Sequence, residues 1–546
     1  MEFFKLTNPN LWISIYLTII NAVLMCFASY KFFQVLQLGG YSIRAYFNWL
    51  KDTKARWISR VIMLFCFTLV TLIASNVLLG AYDHHKLLGY IGLIFYFIFV
   101  ITFIIAMLKV PQKTPLKLTK RMWRLILLYF FSMVIVSFLL LSISIEWVNF
   151  ARYSSIAITI ILIPLMVPLC NIINRPFETL IKNIFKKRSR KKLASFKNLK
   201  VIGITGSYGK TSTKHFLKEI LSQKYNVYSS PSSFNTPMGL SKVILKELSQ
   251  EHQIFIAEMG ATRKGDIKEI CDFVKPNVAV LTGVGNQHLK TFQTLENIKN
   301  TKYELIESLN EQDNAYFNIN SNDMQNLYDK CNLVNKKRVV LNDQNQDFTC
   351  FDIVANDKGL AFKMKLKTEI IDCKTKVLGD HNIENILLAS VIAYDLGVTP
   401  KMIARAISKL KSVNHRLELS KAQNGVIILD DSFNSNVSGT KQALKTLSYF
   451  TNKRKVIVTP GLVELGDIEA ELNEQFGKDI AQICDIAIIV NTHNKKAIES
   501  GLLSQNFDEN NIYFVDTLRD AVKLFETVLK HGDVVLLEND LPDNYI

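Results

Sequence analysis

Between Val201 and Lys214 the chain reads Val-Ile-Gly-Ile-Thr-Gly-Ser-Tyr-Gly-Lys-Thr-Ser-Thr-Lys, and no other segment limits the fold so tightly. Val201 to Thr205 is a short apolar run of the length of a buried strand. It feeds a glycine-rich turn, and Lys210 and Thr211 open an amphipathic helix. Strand, glycine turn and helix in that order make a phosphate cradle: glycines let backbone N–H groups approach phosphate oxygens, and a helix N-terminus favours negative charge. Gly206, Ser207, Gly209, Lys210, Thr211 and Ser212 are the candidate nucleotide contacts. In such a cradle the lysine reaches the terminal phosphates and the threonine hydroxyl holds Mg²⁺. A glycine turn without a ligand would need neither residue, so the segment points to ATP bound by an α/β domain.

Composition divides the chain. Its 546 residues carry a net charge of +17, and the length allows three or so domains. Residues 1–173 are dominated by apolar runs, whereas 201–546 have the mix of an ordinary α/β protein. Five segments, roughly 11–36, 61–82, 89–108, 125–146 and 154–173, approach or exceed the ~20 residues a helix needs to cross a bilayer. The first is too long, and too soon followed by another, for a cleaved signal peptide. Lysine and arginine crowd the loops 37–60 and 109–124 and the stretch 174–200, which contains Lys186-Lys187-Arg188 and Arg190-Lys191-Lys192. The alternate loops hold only Lys86 and Arg152. That bias places the N-terminus outside and the nucleotide-binding half in the cytoplasm. All five tryptophans fall in the apolar half near span ends, as in an interfacial belt.

The excess positive charge is then explained by the lipid bilayer, along whose anionic headgroups the basic stretch would lie. No RNA-binding signature accompanies it, so no nucleic acid is expected. Neither internal repeats nor proton-relay carboxylates inside the spans support a transporter. Eight scattered cysteines without a C-x-x-C pair argue against a zinc ribbon and read as buried thiols in a reducing compartment.

Further along, Ser232-Ser233-Phe234-Asn235-Thr236-Pro237-Met238-Gly239 reads as a polar loop. Gln253 to Ala257 reads as a strand ending in Glu258. A carboxylate at the C-terminal end of a parallel strand sits where open α/β sheets bind ligands, and it is a candidate Mg²⁺ ligand. Val278 to Thr282 is a third strand, leading to Gly285-Asn286-Gln287-His288, with Lys302 fourteen residues beyond His288. Asn382, in Gly379-Asp380-His381-Asn382-Ile383-Glu384-Asn385, reads as the N-cap of an apolar helix. Val426 to Leu429 is a strand running into Asp430-Asp431-Ser432-Phe433-Asn434-Ser435-Asn436, an Asx-rich turn before another helix. From 454 onward strands and helices alternate: 454–459, 468–483, 486–490, 494–503, 512–515, 517–530 and 533–537. This is a Rossmann-like doubly wound pattern.

The common P-loop spacing asks for glycine at 204, where this chain has Ile204. Thr-Gly-Ser-x-Gly-Lys-Thr instead resembles the Mur ligase family, and the resemblance runs over about 201–546. The Asp430–Asn436 segment and Glu464-Leu465-Gly466 are most similar to the branch that adds D-Ala-D-Ala to a muropeptide. The resemblance implies an α/β fold of a central ATP-binding domain, 201–412, and a C-terminal domain, 413–546; the apolar runs and the charge bias place a transmembrane domain, 1–173, and a basic linker, 174–200, before them. It implies that Glu258 and His288 are metal ligands and that Lys302 is carbamylated by CO₂ to become a third. It also implies that Asn382 and Asn385 contact adenine, that Arg416 of Asn414-His415-Arg416 contacts the ATP phosphates, and that Asp430 and Asp431 border the nucleotide.

The implied activity is ATP-dependent amide synthesis at the bacterial cytoplasmic membrane. A substrate carboxylate becomes an acyl phosphate and an amino acid or dipeptide amine displaces phosphate, the substrate being a cell-wall precursor. Two features depart from the family. Membrane spans stand where the sugar-nucleotide-binding domain is expected, and the end motif Lys-Gly-Ser is replaced by Glu538-Asn539-Asp540. Both departures concern the substrates. A poly-γ-glutamate-type synthase is the alternative ligase, disfavoured because such proteins lack the third domain. A non-catalytic ATP-binding scaffold is disfavoured because the metal-ligand set is intact.

Overall fold

The computed structural model describes residues 9–52, 60–63, 65–66, 94, 97–98, 100–105, 114–143, 148–231, 234–285, 289–422, 424–433, 436–463, 465, 468–491 and 493–540. The chain forms two compact units, one up to Ile181 and one spanning Lys182–Leu541.

The first unit is helical, with helices Pro9–Ala28, Tyr30–Leu38, Ile43–Asp52 and Lys120–Ile143 and the start of Val148–Ala194. Its interior holds Phe32, Phe33, Tyr46, Tyr129 and Met133. Leu127, Phe131, Ile135 and Leu139, four residues apart on one helix, form an outward apolar stripe. Among the described residues, two helices are long and apolar enough to cross a membrane, Lys120–Leu140 and Ile158–Ala194. A third span results if the pair Ile15–Ala28 and Tyr30–Leu38, bent by 46°, is counted as one. These correspond to three of the five expected spans; 61–82 and 89–108 lie largely outside the described residues. The composition changes at 173 inside a continuous helix, so the basic stretch is helical as far as Ala194. Within the unit, Glu178 is buried and takes a bidentate contact from Arg124, at 2.7 and 3.0 Å.

The second unit carries two sheets. The strands of the first are β1 (Lys200–Thr205), β2 (Val227–Ser229), β3 (Ile254–Glu258), β4 (Val278–Leu281), β5 (Asn314–Asn318), β6 (Asn335–Leu341), β7 (Phe348–Asn356), β8 (Gly359–Leu366) and β9 (Glu369–Thr375). They lie in the order β2-β3-β1-β4-β5-β6-β7-β8-β9. The strands from β2 to β7 run parallel, and β8 and β9 add an antiparallel extension. β1, β3 and β4 are buried on both faces, as parallel strands covered by helices must be. Chain order reverses around β1, so the C-terminal ends of β1, β3 and β4 border the crevice where such sheets bind ligands.

The second sheet comprises β10 (Glu418–Lys421), β11 (Ile427–Asp431), β12 (Lys455–Thr459), β13 (Ile486–Val490), β14 (Ile512–Val515) and β15 (Val534–Glu538), in the order β10-β11-β15-β12-β13-β14. All pairs are parallel except β10–β11. The alternation expected from 454 onward is present, with ends shifted by no more than two residues. Leu378 and Leu417 enter the core of this domain, and Asp380 pairs with Lys445, so the two sheets' domains are joined at the 378–417 level.

One helix end shows how local chemistry is settled by tertiary contact. Helix Asp266–Val274 begins after Gly265, which has no side chain with which to cap it. Glu304, on helix Leu295–Glu307, supplies the missing acceptor, taking the Gly265 N–H at 2.8 Å and the Lys268 N–H at 2.9 Å. Orphan N–H groups at a helix start need such partners. Glu304→Ala is expected to lower unfolding stability by about 1–2 kcal/mol, read from the denaturant midpoint; an unchanged midpoint would show that water replaces the carboxylate without cost.

Candidate active site

The glycine turn after β1 is held open by contacts that leave no room for side chains. A Cβ on Gly206 would lie 2.1 Å from the Thr282 hydroxyl. Gly209, at φ +78°, would place one 2.6 Å from Asn385 Oδ1. Ser207 locks the turn to the loop after β4: its N–H donates to the Gly283 carbonyl at 2.7 Å and its hydroxyl to the Gly285 carbonyl at 3.1 Å. Tyr208 lies against Gly283 and reaches Asn320, 3.4 Å away. Helix Lys210–Leu221 follows, with Ser212 half-buried in its first turn.

The chemistry gathers around Glu258, at the end of β3 and buried. The Thr211 hydroxyl is 3.2 Å from both of its oxygens. Lys214, one turn on, donates to Oε2 at 2.8 Å, and Asn235 donates to Oε1 at 3.3 Å. The Asn235 loop therefore faces this carboxylate. Lys210 donates to the carbonyls of Gly206 and Ser207, at 2.6 and 3.1 Å. Burial draws its ammonium down to about 8, with Glu258 opposing and Arg416 adding to the shift. Lys302 lies on the buried face of helix Leu295–Glu307. Burial and the Lys210 charge bring it down to about 7, against the pull of Asp266 and Glu304. His288 lies outside the described residues.

Thr211 and Glu258 offer hard oxygen donors side by side, the donor set Mg²⁺ takes. Lys302 as an ammonium could not serve a cation, and burial favours its neutral amine.

The other sequence candidates gather in two places. Asn382 is not the N-cap; Asp380 is, accepting from the His381 N–H. Asn382 is buried in the helix His381–Asp395 and donates to the Leu378 carbonyl at 2.8 Å. Asn385 accepts from Thr213 at 3.1 Å and rests on Gly209, so this helix braces the phosphate turn.

Arg416 stands between two residues with left-handed backbones, His415 at φ +59° and Leu417 at +48°. Non-glycine residues are rare there and need support. Asp430 supplies it to His415, at 2.8 Å from Nδ1, and Asp431 accepts from the Leu417 N–H at 3.2 Å. The two aspartates thus hold the junction that presents Arg416. Its guanidinium lies 5.0 Å over the Phe433 ring. Burial lowers its pKa, opposed by the carboxylates of Asp431, Glu258 and Glu538. Asp431 is pushed up to about 6 by burial, with Arg416 and the Leu417 N–H opposing. Sequence reasoning assigned Lys214 no role; its place four residues after Lys210, on the same helix face, was the available signal.

Known proteins match this architecture. The model of the Mur ligase middle domain matches residues 204–393, and that of the Mur ligase glutamate ligase domain matches 415–538. The UDP-N-acetylmuramoyl-tripeptide–D-alanyl-D-alanine ligase of Bacillus subtilis is 28% identical over 344 residues, covering 62% of this chain and 72% of that protein. The enzyme of the same name from Escherichia coli is 29% identical over 279 residues, covering 51% of this chain and 61% of that one. The chain thus spans about three fifths to three quarters of these relatives. Among solved structures, MurF from Acinetobacter baumannii is similar in fold, with a TM-score of 0.60 at 22% identity over 67% of this chain and 78% of that one. A MurF ligase from Thermotoga maritima in complex with ADP gives a TM-score of 0.58 at 25% identity over 66% and 81%. With both ligase domains matched in order, and the phosphate turn, Glu258 and Arg416 converging in one unit, the chain belongs to the Mur ligase family.

Proposed function

We propose that this chain, an ATP-dependent carbon–nitrogen ligase by family, joins an amine to a carboxylate of a peptidoglycan precursor, in the manner of the D-alanyl-D-alanine-adding enzymes it resembles. The observation that carries the reading is the contact of the Thr211 hydroxyl with Glu258 beneath the phosphate turn, ringed by the positive charges of Lys210 and Arg416. Such a ring suits a reaction that crowds anions together. The substrate carboxylate attacks the γ-phosphorus of ATP, ADP leaves, and the acyl phosphate is attacked by the amine, releasing phosphate.

Each residue has a part in this scheme. Thr211 and Glu258 would hold Mg²⁺, with His288 and carbamylated Lys302 as candidates for a second ion. When bound, the metal neutralises phosphoryl charge and helps align the reactants. Lys210, already over the turn, is placed to follow charge onto the terminal phosphate. Arg416, on the C-terminal domain's junction, would approach the same phosphates when the domains close. Asn382 and Asn385 shape the wall beside the turn, near the adenine. In a bilayer, the apolar helices of the first unit would hold the ligase next to a membrane-associated, lipid-linked acceptor.

The first test is the full-length protein in detergent with Mg-ATP, a UDP-linked muramoyl tripeptide and D-Ala-D-Ala, following phosphate release and product mass. A product heavier by one dipeptide residue supports the reading; ATP binding without product moves the search to lipid-linked acceptors and other amines. In nanodiscs, equal kcat/KM for lipid-linked and UDP-linked acceptors would remove the proximity role of the helical unit. Lys210→Met is expected to lower kcat by about 10³-fold, since a preorganised charge on the transferring group is lost.

The Lys302 reading has a pH signature. CO₂ reacts with the neutral amine, forming the N–C bond and releasing a proton, and with Lys302 at about 7 the neutral fraction grows as pH rises through 7. At limiting bicarbonate, both a ¹³C carbamate signal and activity should therefore rise from pH 6 to 8. Lys302→Ala should abolish the signal; a signal that survives the substitution assigns the carbamate elsewhere.

A further inference from the structure

We propose that Lys214 is a positioning residue that holds Glu258 by one oxygen and makes metal binding depend on the nucleotide. The inference rests on Glu258 as a metal ligand.

The geometry follows from helical spacing. Lys210, Thr211 and Lys214 fall on one face of the helix Lys210–Leu221, the face turned to the end of β3. A carboxylate has two oxygens and about four acceptor sites. On Glu258, Oε2 accepts from Lys214 at 2.8 Å and from Thr211 at 3.2 Å. Oε1 meets only longer contacts, Thr211 at 3.2 Å and Asn235 at 3.3 Å. The charge-assisted bond takes Oε2, and Oε1 remains as the oxygen a metal would use.

The pair is also deep: the two side chains are 5% and 2% exposed. Burying two charges together gains little stability over an apolar pair of similar size, so stability alone does not explain the lysine. Its electrostatic consequence is specific. Glu258 is the carboxylate at this spot, and the Lys214 ammonium already balances it. Lys210 adds further positive charge nearby. A divalent cation arriving alone meets a site with no net negative charge to offer. A cation carried by ATP brings the phosphate oxygens that reverse the balance. Lys214 therefore delays the metal until the nucleotide is present, and it fixes the carboxylate so that no rotamer search is needed on arrival.

The test is Mn²⁺ binding to the full-length, nucleotide-free protein, measured by electron paramagnetic resonance, with Mn²⁺-induced change in melting temperature as a second readout. Lys214→Met should bind Mn²⁺ roughly tenfold more tightly than the wild type or better, because the competing charge is gone. Its melting temperature should fall without the ion and recover with it. Lys214→Arg, which keeps the charge, should bind as weakly as the wild type and keeps the question open to measurement if the methionine variant does not fold. Mn²⁺ affinity unchanged in Lys214→Met, or restored weakness absent in Lys214→Arg, overturns the proposal. Adding Glu258→Gln to Lys214→Met should erase the gained binding; if the gain persists, Glu258 is not the ligand and the parent reading fails instead.

Discussion

The arrangement depends on one carboxylate at the end of a buried strand. Glu258 is 2% exposed, and a side chain so deep must have its oxygens satisfied. Its partners come from two places in the sequence: the helix after the phosphate turn, through Thr211 and Lys214, and the loop before helix Pro237–Lys246, through Asn235. Satisfying Glu258 therefore fixes the helix's rotation and the loop's position at once. The register is set one layer below, where Ile204 of β1 pairs with Glu258 of β3, so the glycine turn begins level with the carboxylate.

The sheet order makes this meeting point inevitable. β1 lies between β3 and β4, and the turn leaving β1 is bracketed by the ends of both. From β3 comes the carboxylate; from β4 comes the Thr282–Gly285 segment, to which Ser207 is bonded. On the far side, the helix His381–Asp395 closes the wall by setting Asn385 onto Gly209. A side chain at Gly206 or Gly209 would collide with these walls, so the two glycines are demanded by close approach and not by flexibility alone.

Much of this was legible in the sequence because the local signals agree with the global fold. β1, β3 and β4 are short apolar runs bounded by polar turns, and the alternation after 454 needed only periodicity. What was not legible depends on contacts distant in sequence. The antiparallel strands β8 and β9 were not anticipated, although alternating burial along Phe362 to Leu366 of β8 carries the period of a half-exposed strand. Asn382 resembled an N-cap because its side chain suits one. Asp380, two residues earlier, took the position, and Asn382 turned inward to the Leu378 carbonyl. Lys214 carried no role in the sequence, because its partner Glu258 comes from β3, distant in the chain. In the apolar half, composition marked the helices but could not show that Val148–Ala194 continues through the change from apolar to basic sequence.

The junction at Arg416 shows the same logic between domains. Two consecutive aspartates at the end of β11 support left-handed backbone on either side of one arginine, a conformation that neither His415 nor Leu417 adopts willingly. Strain of this kind persists only where the surroundings over-determine it. Here the junction holds the Arg416 guanidinium near enough to Glu258 of the other domain for that carboxylate to oppose the lowering of its pKa by burial. Arg416 also faces Asp431 and Glu538, the neighbouring residues at the ends of paired strands β11 and β15. One cation thus lies in the field of three carboxylates that belong to two domains. An anionic nucleotide entering beside Glu258 would compete for that cation, so in the proposed mechanism the group that meets phosphate would also register the approach of the two domains. On that reading nucleotide binding and domain closure would be coupled through a single side chain, presented by the strained junction.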